Sequence, residues 1–477
     1  MKMLSLLVVL PLIGAFLIPA IARISVSIAK FIGPLILLYL LSITMPAFME
    51  LQSGQSSAIH FAGFLPPYGI AFYIDELSLL FANIILIAFL MVWPWNKNNF
   101  SDNHSEIREY SLYLLLLAAS SGLVLSSDLF NLYVFYELLA VASYGLIAKQ
   151  PKIEGIASAA SFRYLLLSAS GSVLLLLGIA LIYSLTGTLN IAHLSSVANE
   201  SLNTFAGVAA FLLILIGIGV KAEMFPVNSW VPEVYGVISR PLSALFAGLI
   251  SKIAVLFIAK VLLMVYQQDS ILTMILFIGV LGVLTGELIA YRARDMVRML
   301  SFSSIAQLGL VFTALAIPGK TGLYIAVAFM LHHLVVKSAL FFLSEKMHSN
   351  HEHLKGLYHQ SPFIVILFIF LILSLLGIPP FPGFWIKLNL VLNLSTITYG
   401  NVAIAIVLLA TVIEAAYLFT LVKKMLANDE SNKQIAYQTG YQSSYLFAVL
   451  LAIILLVSTF NISSLSKSIE NMANNTN

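Results

Sequence analysis

The chain contains no cysteine and very little charge. With no cysteine among its 477 residues, it can form neither a disulfide nor a thiolate-bound metal or iron–sulfur site. Only 9% of the residues are charged, against about 25% in soluble domains, whereas 60% are hydrophobic. The net charge of +3 gives no basic footprint for a nucleic acid. This composition excludes a soluble domain and predicts an integral membrane protein.

Long apolar runs fill most of the sequence. Runs of about 20 apolar residues, the length of a membrane-crossing helix, predict about fourteen spans. These spans begin near residues 4, 31, 77, 110, 130, 163, 205, 242, 271, 300, 322, 363, 402 and 444. Residues 1–22 are similar to a signal peptide but run on to Arg23, so we interpret them as a retained first span. We expect an all-α polytopic protein with a single membrane domain over 1–477 and a short flexible tail at 464–477.

Lysine and arginine are unevenly distributed among the predicted loops. Sixteen of the 24 follow odd-numbered spans, and only three follow even-numbered spans or lie at the termini. Because cytoplasmic loops are rich in Lys and Arg, both termini are predicted to face away from the cytoplasm, with the protein in the cell inner (plasma) membrane. The other five basic residues fall inside or at the edge of predicted spans. They are Lys221, Lys252, Lys260, Lys337 and Lys387.

Two predicted spans are interrupted by proline. Their sequences are 217-GIGVKAEMFPVNSWVPE-233 and 377-GIPPFPGFWIK-387. The two lie about five helices apart, a spacing that fits two repeated bundles with the second copy inverted. Paired interrupted helices in such repeats mark transport sites.

Charged side chains inside the spans need a physical reason. A charge at mid-bilayer costs about 2.5–3.5 kcal/mol, so these lysines are expected to face a hydrated interior or a carboxylate, or to snorkel to the surface. Glu137 and Lys252 are the deepest, which favours an ion pathway over a structural role. Lys260 and Glu414 fit a pathway or a structural role equally well. Glu287 lies near the basic cluster 292-RARDMVR-298, which predicts an interfacial salt bridge.

The segment 331-LHHLVVKSALFFL-343 places two histidines and a lysine in one span. His333 and Lys337 share a helix face at i, i+4, whereas His332 points elsewhere. A lone buried histidine is usually a packed core residue, but histidine titrates near neutral pH and the adjacent lysine favours proton transfer. Adjacent histidines diverge on a helix, so no metal site is expected. No nucleotide-binding or nucleophile motif is present either. We therefore predict no cofactor and no catalytic residue in this chain.

Four sequence motifs together resemble those of one protein family. The family comprises the antiporter-like proton-translocating subunits of respiratory complex I, energy-converting hydrogenases and Mrp-type cation/proton antiporters, and the chain resembles most the Mrp D subunit. The motifs are 128-DLFNLYVFYELL-139, 221-KAEMFPVNSWVPE-233, 295-DMVRMLSFSSIAQLG-309 with 332-HHLVVKSALFFL-343, and 377-GIPPFPGFWIK-387.

This resemblance implies a fold and a set of proton-transfer residues. The fold would have fourteen helices in two inverted five-helix repeats with broken helices, the first at 110–266 and the second at 271–425. The proton-transfer residues would be the pair Glu137 and Lys221, the connecting Lys252, the central His332, His333 and Lys337, and Lys387 near the exit. The chain departs from the family where Asn228 replaces the usual histidine and Val297 a second basic residue. A proton route past Asn228 would then need water or Glu223, whose own role stays open.

The resemblance also implies partners. The chain would lie in the lipid bilayer with other integral membrane subunits of a hetero-oligomeric complex and move protons, with Na⁺ as a second candidate ion. That complex would be an Mrp-type Na⁺/H⁺ antiporter or a complex I-like NADH:quinone oxidoreductase. Whether the chain serves as the ion-pumping subunit of an oxidoreductase stays open. The alternatives are the proton-pumping subunit of an energy-converting hydrogenase and a stand-alone transporter for an organic solute.

Overall fold

The computed structural model describes most of the chain. The described residues are 2–51, 56–61, 64, 69–94, 103–149, 154–266, 268–347, 350–427, 442–461 and 467. Except for residue 467, the predicted tail at 464–477 lies outside them. The helices, in chain order, are α1 Leu6–Ala22, α2 Val26–Leu51, α3 Glu76–Val92, α4 Asn103–Leu125, α5 Leu129–Ala148, α6 Glu154–Thr186, α7 Ile191–Ser201, α8 Phe205–Gly219, α9 Val231–Val237, α10 Arg240–Leu245, α11 Ser251–Val265, α12 Asp269–Arg292, α13 Met296–Leu315, α14 Gly319–Ser344, α15 Leu357–Gln360, α16 Pro362–Leu376, α17 Pro382–Leu394, α18 Gly400–Leu426 and α19 Gln442–Phe460.

The helices agree with the predicted polytopic membrane fold. Among the described residues, eleven helical stretches have the length and apolar composition needed to cross a membrane. The three shorter apolar helices are α3, α8 and α16. Each predicted span starts in or next to one of these helices, and the all-α fold class is confirmed.

Both predicted interruptions are present. Helix α8 ends at Gly219, and α9 begins only at Val231, with Pro232 in its first turn. Helix α16 ends at Leu376, after which Gly377 has a φ of 76°, a left-handed conformation that favours glycine. Proline fits the first turn of a helix because the N–H groups there have no helical acceptor. This explains why the helix after each interruption has a proline in its first turn.

A third irregularity interrupts the helical stretch from Arg240 onward. Residues Phe246–Ile250 form a π-helical turn between α10 and α11. π-turns of this kind widen the helix by one residue and are frequent at functional sites. The turn ends two residues before Lys252.

One small sheet was not predicted. Strand β1 Ser57–His60 pairs antiparallel with β2 Ala71–Ile74, with Ser57 opposite Ile74. The Ala71 carbonyl then accepts the backbone N–H of Ser127, just before α5. The hairpin thereby ties the connection after α2 to the start of α5.

The described chain divides into two compact units. The first contains the helices before residue 222 and the helical segment from Ile253; the second contains residues 223–252 and the helices from Asp269 onward. In the first unit, Gly217 packs against Gly171, where an added Cβ would lie 2.5 Å from the Gly171 carbonyl oxygen. This close approach brings α6 against the end of α8. The predicted single membrane domain and the repeat boundaries stay predictions.

Candidate ion-transfer site

Lys221 is buried in the first unit among hydroxyl groups and aromatic rings. Only 2% of its surface is exposed. Its Nζ donates to Ser168 Oγ at 3.1 Å and to Tyr164 OH at 3.4 Å, and lies 4.4 Å from the centre of the Tyr136 ring. Ring faces attract cations, so these groups offset part of the cost of burying an ammonium ion. No carboxylate among the described residues bonds to Lys221 directly.

Glu137 lies on α5, one residue after Tyr136. It accepts a hydrogen bond from the Ser172 hydroxyl, and its charge interacts with that of Lys221. Ser172 follows Ser168 by four residues on α6, and residues at this spacing share a helix face. A single face of α6 therefore provides partners to both members of the pair predicted from the sequence.

Lys260 is also buried in the first unit. Its Nζ donates to the Val124 carbonyl at 3.1 Å, close to the C-terminus of α4. Helix C-termini have carbonyl groups without helical donors and attract cations. This contact supports a structural role for Lys260, one of the two roles left open by the sequence.

In the second unit, the π-turn provides the partner of Lys252. This lysine is fully buried, and its Nζ donates to the Ala247 carbonyl within the turn and to Ser251 Oγ at 3.1 Å. Because a π-turn shifts the register of the backbone hydrogen bonds, the Ala247 carbonyl becomes available to the Lys252 side chain. Sequence patterns do not reveal such a turn.

Glu223 lies next to the Lys252 charge. Its side chain is 1% exposed. One of its carboxylate oxygens accepts a hydrogen bond from the Tyr235 hydroxyl, with 2.6 Å between the two oxygens. Within the described residues, the other oxygen has no hydrogen-bond partner. The charges of Glu223 and Lys252 interact, so each buried group is partly compensated by the other.

Lys337 continues the polar groups of the second unit on α14. It is fully buried, and its Nζ donates to Ser303 Oγ at 2.6 Å and to the Leu300 carbonyl at 3.4 Å, both on α13. Its charge interacts with those of Lys252 and Glu223. The proton pathway through Lys252 and Lys337 stays a prediction.

The two histidines of α14 have different surroundings. His332 Nε2 lies 2.9 Å from Ser374 Oγ on α16. Neither ring nitrogen of the buried His333 has a partner within the described residues, although its charged form would interact with both Lys252 and Lys337. No group of three or more potential metal-binding side chains occurs in the described part of the chain.

Lys387 is paired with a carboxylate that the sequence left unassigned. Its Nζ lies 3.2 Å from Glu414 Oε2 and donates to the Leu376 carbonyl at 3.0 Å. The other Glu414 oxygen accepts from Gln307 Nε2 at 2.9 Å. Glu414 is buried, whereas the Lys387 side chain is 13% exposed. The end of α16, α17, α13 and α18 thus meet around one partly buried ion pair.

The prediction for Glu287 is wrong. Its side chain is 2% exposed and accepts a hydrogen bond from the Tyr417 hydroxyl at 2.9 Å. The predicted partners Arg292, Arg294 and Arg298 are exposed instead. Residues five apart on an α-helix point to different sides, so closeness to Arg292 in the sequence did not mean contact.

The two departures from the family pattern lie at different places in the fold. Asn228 is partly buried, and its carbonyl accepts the N–H of Val231 at the start of α9. Val297 is buried in the first turn of α13. Neither provides a titratable group, and Glu223 is the buried acid nearest to Asn228 in the sequence.

The sequence did not predict several of the polar partners of the buried charged residues. On α6, Ser168 follows Tyr164 by four residues, and on α13, Gln307 follows Ser303 by four residues. Each pair therefore places polar groups on one face of an apolar helix. This spacing is a signal that could have been used. The helix that each face meets could not be inferred, because it depends on tertiary packing.

The fold and these side chains define a polytopic helical membrane protein with interrupted helices and buried titratable groups. Residues 126–414 match the family described as "NADH:quinone oxidoreductase/Mrp antiporter, TM". The chain belongs to this family, and the resemblance seen in the four motifs is confirmed.

Individual relatives span nearly the whole chain. It is 29% identical over 432 residues to NADH-quinone oxidoreductase subunit N of Desulforudis audaxviator (strain MP104C), covering 88% of this chain and 85% of that protein. It is 26% identical over 449 residues to a protein named as antiporter subunit mnhD2 in Staphylococcus epidermidis (strain ATCC 12228 / FDA PCI 1200), covering 91% and 88%.

A solved structure agrees with the whole fold. A chain in the structure of the membrane-bound sulfane sulfur reductase (MBS), an archaeal respiratory membrane complex, superposes with a TM-score of 0.90 at 30% identity. The match covers 100% of this chain and 98% of that chain. The protein is therefore an integral, multi-pass membrane protein of this family.

Proposed function

We propose that this chain is the proton-translocating, antiporter-like subunit of a multi-subunit membrane complex. It assembles with other integral membrane subunits in the lipid bilayer and moves protons along its buried glutamate, lysine and histidine side chains. The membrane is the cell inner (plasma) membrane, and both termini lie on the non-cytoplasmic side.

The observation that carries this proposal is the burial of lysines with individual partners. Lys221, Lys252 and Lys337 are each at most 2% exposed. Each has a hydroxyl partner and at least one carboxylate within electrostatic range. Charges at membrane depth are costly unless they face protein or water, and there they typically mark ion pathways.

Proton transfer follows the order of these groups. In the first unit, the proton is held by Glu137 and Lys221. In the second unit, it passes from Lys252 to Lys337, with His332 and His333 beside it on α14, and leaves by Lys387. Because neighbouring charges alter each other's proton affinity, the gain of a proton at one group promotes its release from the next.

The comparisons support membership of an Mrp-type Na⁺/H⁺ antiporter or a complex I-like NADH:quinone oxidoreductase. The two sequence relatives carry these two names. The hydrogenase subunit and the stand-alone solute transporter receive no such support. If the complex is the Mrp-type antiporter, Na⁺ is the candidate for the second transported ion.

The test is proton flux through the assembled complex in proteoliposomes. We expect Glu137→Gln and Lys221→Met each to reduce proton flux by about a hundredfold or more, as for the removal of a proton-transfer group, while the complex still assembles. Lys355→Met is the matched control, because Lys355 is exposed in the connection between α14 and α15. Wild-type flux in the assembled Glu137→Gln or Lys221→Met complex would contradict the proposal.

A further inference from the structure

A second buried carboxylate lies beside the Lys387–Glu414 ion pair. Glu287 on α12 and Glu414 on α18 are both 2% exposed, and their charges interact. Glu414 has two direct partners, the Lys387 ammonium and the Gln307 amide. Glu287 has the Tyr417 hydroxyl instead. Of the two carboxylates, Glu287 is thus the one without a directly bonded cation.

Two hydroxyl groups lie next to Lys337 and Glu287: that of Ser303 bonds to Lys337, and that of Tyr417 bonds to Glu287. Lys337 Nζ donates to Ser303 Oγ at 2.6 Å. The Ser303 hydroxyl interacts in turn with the Tyr417 hydroxyl, and Tyr417 OH lies 2.9 Å from Glu287 Oε2. A hydroxyl both donates and accepts, so a proton entering at Lys337 can emerge at Glu287.

The charged and titratable groups around Glu287 come from several helices. Tyr417 on α18 donates a hydrogen bond to it, and the charge of Glu287 interacts with those of Glu414 on α18, Lys337 on α14 and Lys387 on α17. A buried carboxylate without a cation is costly, so the ionised form of Glu287 depends on the two lysine charges. Its protonation is therefore coupled to theirs.

We propose that Glu287 is a proton-carrying residue between Lys337 and Lys387. The inference rests on the proposed function, because it assigns the step that joins two of its lysines. It also replaces His333 in that step, since neither ring nitrogen of His333 has a hydrogen-bond partner in the described part of the chain.

The step conserves atoms and charge. An N–H bond of the Lys337 ammonium breaks, each hydroxyl takes one proton and gives up another, and an O–H bond forms on Glu287. This converts a positive and a negative group into two neutral ones. Glu287 then releases the proton to a deprotonated Lys387, which restores the carboxylate beside a cation.

The test compares variants of Glu287 in the assembled complex. Glu287→Gln keeps the size of the side chain but cannot carry a proton, so we expect proton flux to fall about tenfold or more. Glu287→Asp should retain a measurable part of that flux with an altered pH profile, because a carboxyl group is still present. The matched control is Glu352→Gln, because the Glu352 side chain is 65% exposed.

Two further variants separate this step from the pathway as a whole. Tyr417→Phe and Ser303→Ala remove the hydroxyl relay and are expected to reduce flux while Glu287 is present. Wild-type flux in Glu287→Gln, alongside lost flux in Glu137→Gln, would overturn this inference and leave the proposed function intact. Wild-type flux in Glu137→Gln would instead contradict the proposed function itself.

Chemical labelling covers the case in which the variants fail to assemble. A hydrophobic carbodiimide reacts with protonated buried carboxyl groups, so in the wild-type complex we expect Glu287 to be labelled, faster at lower pH and in parallel with the loss of flux. Mass spectrometry of the digested complex identifies the modified residue. Labelling of other buried carboxyl groups of the chain, with Glu287 unmodified at every pH, would overturn the inference.

Discussion

The buried lysines differ from one another in the kind of partner that each one has. Lys221 lies among hydroxyls and an aromatic ring, Lys252 bonds to a carbonyl of the π-turn, and Lys387 pairs with a carboxylate. The sequence predicted that these lysines lie inside or at the edge of apolar spans, because an apolar run makes an isolated charge conspicuous. It could not predict the partners, which lie on other helices.

The Lys387–Glu414 pair allows a prediction about stability. Glu414→Gln leaves the partly buried Lys387 ammonium without the anion bonded to it. Breaking a fully buried ion pair costs about 3–5 kcal/mol, which is the upper limit expected here. The double variant Lys387→Met with Glu414→Gln should cost clearly less, because no uncompensated charge is left. Thermal unfolding of the purified complex in detergent measures both variants. A double variant at least as destabilised as Glu414→Gln alone would refute a compensating pair.

Glu287 shows that residues close in sequence need not be in contact in the structure. Its closeness to the basic cluster after α12 predicted an ion pair at the surface, yet the side chain points inward to Tyr417. On a helix, the direction of a side chain changes by about 100° per residue. The polar group that Glu287 meets belongs to α18, which the sequence does not place next to α12.

Helices α12 and α13 pack closely because glycines line their contact. A Cβ on Gly309 would lie 2.5 Å from the Val283 nitrogen, and one on Gly279 would lie 2.6 Å from the Thr313 nitrogen. Small residues at helix contacts allow backbones to approach closely and pack well in membranes. Because α12 carries Glu287 and α13 carries Ser303, this contact also positions the polar groups.

We predict that Gly309→Ala separates α12 from α13. Since the obstacle is backbone and cannot rotate away, the substitution should destabilise the protein by about 1–3 kcal/mol and lower its melting temperature. Gly236→Ala is the control, because a Cβ there meets nothing within 4 Å, and alanine favours helix by up to about 1 kcal/mol. Equal melting temperatures for the two variants would contradict the importance of the close approach.

Prolines made the interrupted helices predictable, whereas the β1–β2 hairpin was not. A proline inside an apolar run removes a helical hydrogen bond, and it marked the breaks after α8 and α16. Proline alone is not sufficient for a break, because α1 and α2 each continue through two prolines. The hairpin strands are four residues each and depend on pairing across a loop. Short strands give too weak a periodic signal to be recognised in such a chain.

For the molecule as a whole, composition and charge predicted the class of fold well. The apolar runs account for the helices, and family motifs spread from residue 128 to 387 indicated the family that residues 126–414 match. The sequence does not encode the division into two compact units in any local pattern. That division depends on contacts between helices far apart in the chain.

The absence of cysteine permits a clean test of sidedness. A single cysteine replacing Lys320, in the first turn of α14, should react on intact cells with a membrane-impermeant maleimide. One replacing Lys355, between α14 and α15, should react only in inverted vesicles. Both positions are exposed, and the wild-type chain has no thiol to give background labelling. The reverse labelling pattern would invert the proposed orientation.

Lys252 offers the most direct test of proton transfer through buried side chains. The measurement is the initial rate of proton flux in proteoliposomes that contain the assembled complex with Lys252→Met, an uncharged side chain of similar length. We predict a rate below about a tenth of the wild-type rate, with unchanged subunit composition. A wild-type rate in that assembled complex would mean that protons cross by a route independent of this lysine and would contradict the proposed pathway.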